Sequence, residues 1–413
     1  MWRRVMAVCL VVFVVFSAAL PAAAQDEGYI YGKVTLRSGR VYQGPLRWDD
    51  EETFWTDLFN STKEDDVFET YLEDADGYRE LRRELRDRGR ERRSGWRRGF
   101  NVSFGTTHSF KCFFGDIARM DLRGSESIRL YMKNGEMIRL SGGSNDVGTT
   151  IRILDAELDE VDIKWRRIDT IEFMDTPKKL DDVFGAPLYG TVETDAGTFK
   201  GFIQWDNEEC IGSDVLDGDG EDGDMKIRFK NIKSIEKYRR GSRVVLHSGR
   251  EFYLTGSNDV NSENRGVVVK DMQLGQVKIG WRDFKKVTFE KAANAGPAYK
   301  AFSETKALYG VVLTDDDEKL EGRIFYDLDE VWDMEMLDGQ DGDMEYLIPF
   351  RQISRIVPDG RWGAEVVLVN GKKLVLEESR DVDDDNAGIV VQQGKKLHYV
   401  AWRTVKQIDF SNR

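Results

Sequence analysis

Short alternating runs of apolar and polar residues, cut by glycine turns, occupy nearly the whole chain. Val192 and Thr194, then Phe199, alternate with polar neighbours on either side of Asp195-Ala196-Gly197, which predicts two strands and a turn. Val244-Val-Leu246-His-Ser-Gly249-Arg-Glu-Phe252-Tyr-Leu254 repeats the pattern. The same text recurs at long range. Tyr31-Gly32, Tyr189-Gly190 and Tyr309-Gly310 each open a stretch, and Trp165-Arg166, Trp281-Arg282 and Trp402-Arg403 each help close one. Self-similarity of this kind fixes the organisation before any local reading does. It divides the chain into repeats over residues 28–175, 186–291 and 306–413.

Each repeat divides again. A glycine-bracketed hairpin leads to an aromatic-Asp bend (Trp48-Asp49, Trp205-Asp206, Tyr326-Asp327) and then to Phe114-x-x-Ile117-x-x-Met120, Phe229-x-x-Ile232-x-x-Ile235 or Phe350-x-x-Ile353-x-x-Ile356. The second half has its own hairpin, around Gly135, Gly249 or Gly371. A polar link follows: Ser144-Asn145-Asp146, Ser257-Asn258-Asp259 or Ser379-Arg380-Asp381. Spacing of three before the last strand predicts one helical or 3₁₀ turn. The expected fold is all-β: three tandem repeats, each of two small β-barrel-like modules, six in all, with one charged helical insertion. A six-bladed β-propeller is the alternative, since four-stranded modules also make blades. The seven prolines fit strands, which exclude Pro from central positions.

The Val-x-Leu-x-x-x-Gly hairpin, the Gly-x-Ile-x-Trp-Asp bend and the Phe-x-x-Ile-x-x-Ile closure resemble the Sm-like and SH3-like small barrels. The RNA-reading residues of the Sm family have no counterparts, since Cys210 stands four beyond Asp206 where that family places Asn. The resemblance therefore implies fold and no activity.

One segment is not repeated. Residues 61–100 begin acidic and turn basic, with ten arginines between Arg79 and Arg98. Tyr78, Leu81 and Leu85 make a narrow apolar stripe, which predicts a short charged helix lying over a barrel. Arg82, Arg83, Arg86, Arg90, Arg93 and Arg97 are the candidate contacts to a partner: a protein, or an anionic envelope component such as a phosphate-bearing lipid head group or lipopolysaccharide. A self-paired, solvated helix is the plainer reading.

Outside the repeats, a basic start (Arg3-Arg4), an apolar run from Val5 to Leu20 and Ala22-Ala23-Ala24 make residues 1–24 a secretory signal peptide, with cleavage near Ala24-Gln25. A periplasmic or secreted chain without a transmembrane segment is expected. Loss of Arg3 and Arg4 takes the formal net charge from −14 to −16, which argues against nucleic acid as a partner. Cys112 and Cys210 form either one bridge or two separate thiols.

Two acidic hairpins, Asp217, Asp219, Asp222 and Asp224, then Asp338, Asp341 and Asp343, carry the oxygen donors that Ca²⁺ requires. The EF-hand pattern fails, because Asp222 takes the glycine place and Arg228 the twelfth. Asp-Gly turn chemistry explains the same residues without an ion, and calcium is the one candidate cofactor. Asp49, Asp206 and Asp327 read as caps of their own turns. The three histidines show no metal spacing, and no nucleophile elbow or phosphate loop occurs. The sequence thus points to a non-catalytic, exported scaffold of a bacterial envelope. A cation- or polyanion-binding module and a hydrolase with a carboxylate pair at a module interface are the alternatives.

Overall fold

A computed structural model describes residues 26–411 except 65–66, 74, 76–77, 80, 84, 87–107 and 143–145. The leader and Arg90, Arg93 and Arg97 lie outside the described residues. Strands take up 54% of the chain and helices 9%, so the protein is all-β.

The first ten strands are β1 (Tyr31–Leu36), β2 (Val41–Trp48), β3 (Leu58–Lys63), β4 (His108–Phe113), β5 (Ile117–Arg123), β6 (Ser127–Met132), β7 (Met137–Ser141), β8 (Thr150–Asp155), β9 (Asp159–Lys164) and β10 (Ile168–Phe173). They make one antiparallel sheet in the order β4-β3-β7-β6-β5-β10-β1-β2-β8-β9. Strands β21 (Tyr309–Thr314) to β30 (Val405–Phe410) follow the same order of neighbours, and so do β11 (Tyr189–Thr194) to β20 (Phe284–Phe289), except that the third and fourth strands of this second set form a two-stranded sheet of their own, tied to its seventh-strand end by the single bridge Asp219–Thr255. Even the irregularities return: the pairing of the first strand with the tenth slips at Thr35/Leu36, Glu193/Thr194 and Leu313/Thr314.

Two expectations are corrected here. None of the sheets closes into a barrel. Nor are the two halves of each set separate modules. Hairpin β8–β9 from the second half adds to β2 of the first, while β3–β4 from the first half adds to β7 of the second. Strand β10 sits between β5 and β1 and joins the two groups. A propeller blade would pair consecutive strands within itself, so these exchanged hairpins do not build blades either. One sheet edge is hidden by a neighbour instead of by closure. Strand β19 (Gly275–Ile279) of the second set pairs with β24 (Met344–Pro349) of the third.

The opening Tyr-Gly pairs have a steric cause. A Cβ at Gly32, Gly190 or Gly310 would lie 2.7, 2.2 or 2.1 Å from the carbonyl oxygen of Glu172, Thr288 or Asp409 on the tenth strand. Only glycine lets the first and tenth strands meet there.

Each set touches both others, which answers whether they form an open line or a closed arrangement. Buried Lys270 bonds Asp57 (2.7 Å), and Arg47 bonds Asp214 (3.0 Å), across the first–second contact. Lys63 meets Asp329 (2.9 Å) and Glu335, and Arg351 forks onto Asp116 (2.6 and 2.8 Å), across the third–first contact. The receiving carboxylates play one role in all three sets. Asp57, Asp214 and Glu335 each accept two backbone N–H groups of the preceding loop with one oxygen and offer the other to the cation.

Candidate functional site

The bend after the second strand builds a buried acidic site in every set. Asp49, Asp206 and Asp327 adopt φ near +50°, turning the chain back so that Glu52, Glu209 and Glu330 pair with the backbone of Trp48, Trp205 and Tyr326. The aromatic side chain then reaches across the core. Trp48 and Trp205 donate Nε1–H to the carbonyls of Asp146 and Asp259 (2.8 and 3.0 Å), and the Tyr326 hydroxyl donates to that of Asp381 (2.5 Å). These aspartates are held from the other side as well. Each accepts at Oδ2 the backbone N–H of the third strand: Asn60, Asp217 or Asp338. One glutamate and one aspartate are thus fixed together, three times over, by local chain geometry.

Asp206 and Asp327 spend their carboxylates away from their own turns, contrary to expectation. Asp206 accepts from the backbone and guanidinium of Arg265 and from Asn258, and Asp327 accepts from the backbone N–H of Ala387 and pairs with Arg380 (2.7 Å). They tie down the distant polar link between the seventh and eighth strands.

Burial dominates the electrostatics. It raises Glu209 to about 9 with help from Asp259, and raises Asp259 to about 6. Burial likewise lifts Asp146 to about 7 and Asp381 to about 8, and it lifts Glu52 and Glu330 well above the usual carboxylate range. In all three glutamates Oε2 is buried without a hydrogen-bond partner. Ligand oxygens of Glu51, Glu52 and Asp146 lie within 4.8 Å of one another, as do those of Asp327, Glu330 and Asp381.

The third of these sites opens into a cavity of about 230 Å³ between the first and third sets, walled by His108, Lys111, Asp327, Asp329, Glu330 and Asp381 among others. Neighbouring acids differ sharply there. Burial would raise Asp329, but Lys63 and His108, whose Nδ1 lies 3.1 Å away, outweigh it and bring Asp329 down to about 2. Glu330, one residue on, is pushed the other way by burial and by Asp381 and Asp329.

The residues singled out from sequence fall elsewhere. Asp217, Asp219, Asp222 and Asp224 line the hairpin of β13 (Val215–Gly220) and β14 (Gly223–Arg228), with Asp219 opposite Asp224 and Asp217 opposite Lys226. Asp341 lies near the tip of the equivalent hairpin of the third set, Asp343 meets Arg282, and Asp338 pairs with Lys111. Among the described residues, no hairpin carboxylate belongs to a group of three close enough to share an ion. In the insertion, α1 (Val67–Leu72) is followed by helical residues between 78 and 86. Tyr78, Leu81 and Leu85 are buried in the core of the first set, while Arg83 and Arg86 are exposed and Arg82 half-buried with its guanidinium over Tyr78.

The repeated aromatic residues are packing. Trp48/Trp165, Trp205/Trp281 and Tyr326/Trp402 meet edge to face at 5.8, 6.4 and 6.0 Å inside their sheets. Cys112 and Cys210 are two separate buried thiols.

Sequence reasoning missed Glu52, Glu209 and Glu330. The signal was present as an aromatic-Asp-x-x-Glu repeated at all three bends, but it was spent on turn chemistry. Among the described residues, no helix is long and apolar enough to cross a membrane. No protein-family model, no characterised protein and no solved structure matches the chain.

Proposed function

We propose that the chain is an exported, non-catalytic scaffold of a bacterial cell envelope, which binds a protein partner through the arginine-bearing segment of the first set. The observation that carries this reading is the docking of Tyr78, Leu81 and Leu85 into the core while Arg83 and Arg86 face outward. An anchored stripe holds a row of guanidinium groups in a fixed place, so an acidic partner meets charges already positioned. The buried ion pairs between sets supply a stiff base for that row. Capture from periplasmic extract by the mature chain, compared with Arg83→Glu/Arg86→Glu, tests it. A specific protein retained by the first and lost by the second supports the reading. Equal capture by both removes the segment from the account.

A second reading has one observation in its favour. Asp329 held low beside Glu330 held high, in a cavity between sets, is how a base and an acid are set up side by side. Turnover on a panel of glycans and peptides separates the two. The scaffold reading expects none, and turnover abolished by Glu330→Gln would replace it with a hydrolase.

A further inference from the structure

Six acids line the cavity between the first and third sets: Asp327, Asp329, Glu330, Glu335, Asp338 and Asp381. Four of them already have a cation. Arg380 holds Asp327 (2.7 Å), Lys63 and His108 hold Asp329 (2.9 and 3.1 Å), Lys63 also meets Glu335, and Lys111 holds Asp338 (3.1 Å). Glu330 and Asp381 form no ion pair among the described residues, although they face the same space.

Both are buried, Glu330 at 7% exposure and Asp381 at 8%. Asp381 accepts the backbone N–H of Asp338 at Oδ2 (2.7 Å), but Glu330 Oε2 has no hydrogen-bond partner among the described residues. A buried carboxylate oxygen with nothing to accept from is costly. Glu52 and Glu209 carry the same bare oxygen, so that oxygen alone marks no site. What Glu330 adds is open volume beside it, about 230 Å³, with Ser109, Ser379 and Met336 on the walls. Burial first, then Asp381 and Asp329, pushes Glu330 well above the usual carboxylate range, as expected of an acid awaiting a positive charge.

Nitrogen donors answer the acids of these bends elsewhere. Arg265 bonds Asp206 and Glu208, and Arg380 bonds Asp327. The Lys63 ammonium reaches in from the first set and bonds both the carboxylate and the carbonyl of Asp329, at 2.9 Å each. A second ammonium suits the open oxygens. Three N–H···O bonds of about 2.9 Å, set tetrahedrally about one nitrogen, place their oxygens about 4.7 Å apart. The oxygens of Asp327, Glu330 and Asp381 lie within 4.8 Å of one another. Asp327 can accept such a donor, because Ala387 and Arg380 take only part of its carboxylate's capacity. The volume left over suits a short carbon chain, with the buried Met336 as its apolar contact.

We infer that the cavity between the first and third sets binds the primary ammonium group of a small amine, with Glu330, Asp381 and Asp327 as its acceptors. This goes beyond the scaffold reading and does not depend on it. A bound amine would bridge the bend of the third set to its polar link at Asp381, beside the Lys63 contact that joins the third set to the first.

Titration calorimetry of the chain without residues 1–24 tests the inference, with n-butylamine as the probe. Butylamine, an ammonium at neutral pH, should bind at one equivalent and raise the melting temperature. Tetramethylammonium, a cation without N–H, should not bind, and Ca²⁺ should not compete. Glu330→Gln and Asp381→Asn should each weaken butylamine about tenfold, the loss of one hydrogen bond to a charged group. Glu209→Gln, at the matching bend of the second set, should leave it unchanged. The comparison of ligands needs no variant, so it decides even where neither substituted chain folds. Absence of butylamine heat in the wild type overturns the inference. So does equal binding of tetramethylammonium, displacement of butylamine by Ca²⁺, or wild-type affinity in both third-set variants.

Discussion

At the scale of single residues, the acids divide into those that hold the chain together and those that cost it stability. Asp57, Asp214 and Glu335 belong to the first group, since each spends both oxygens on partners. Glu209 belongs to the second. Its ordinary value is 4.5, and burial followed by Asp259 takes it to about 9 in the folded chain. The fold therefore keeps a proton that the unfolded chain releases. Its penalty is absent below about 4.5 and grows as pH climbs from there toward 9, by at most about 1.4 kcal/mol per pH unit. Glu209→Gln should change stability little at pH 4 and raise it at pH 8, as read by urea unfolding at both values. An equal effect at both would show that ionisation is not the cause. These roles were only half legible in the sequence. The bend aspartates were visible as a repeat, but what each side chain binds (Arg265, Asn258 or the backbone of Ala387) lies some 50 to 60 residues away and is set by tertiary contact.

At the scale of elements, strands and turns were readable because alternation and glycine position are local properties. The Phe-x-x-Ile spacing announced one helical or 3₁₀ turn, and it is the 3₁₀ form that stands at Phe114–Asp116, Phe229–Asn231 and Phe350–Gln352. The exchange of hairpins between halves was not readable. A strand with one buried face satisfies its pattern against any partner of matching register, so alternation alone cannot say that β8 joins β2 and β3 joins β7. Glycine records part of the answer. Gly310→Ala would place a Cβ 2.1 Å from the Asp409 carbonyl and force β21 off β30. A loss of about 1–3 kcal/mol or more is expected in chemical denaturation, against almost none for Gly142→Ala, where the nearest atom lies 3.9 Å from the added Cβ. The charged insertion was legible for the opposite reason, since a helical stripe is also local. Leu81→Ala/Leu85→Ala should free that segment, so that trypsin cleaves between Arg79 and Arg86 far faster than in the wild type while the sheets stay intact by circular dichroism.

At the scale of the whole molecule, three ten-strand sets are joined by buried charge and by one shared strand pairing. Lys63 is the clearest case. It is buried between the first and third sets, and Asp329 and Glu335 both depend on it. Lys63→Met leaves Glu335 without its cation and Asp329 with His108 alone, and should cost about 3–5 kcal/mol, because stranding a buried charge is worse than never burying the pair. Nothing in the sequence marked Lys63, which is one of 61 basic residues and has no equivalent in the other sets. The scaffold reading depends on the three sets behaving as one stiff body. Scanning calorimetry of the chain without residues 1–24 tests that most directly. One cooperative transition, with calorimetric and van't Hoff enthalpies in agreement, and with Lys63→Met lowering the whole transition, is the expected result. Three separable transitions, or a Lys63→Met variant in which only one set melts earlier, would contradict it.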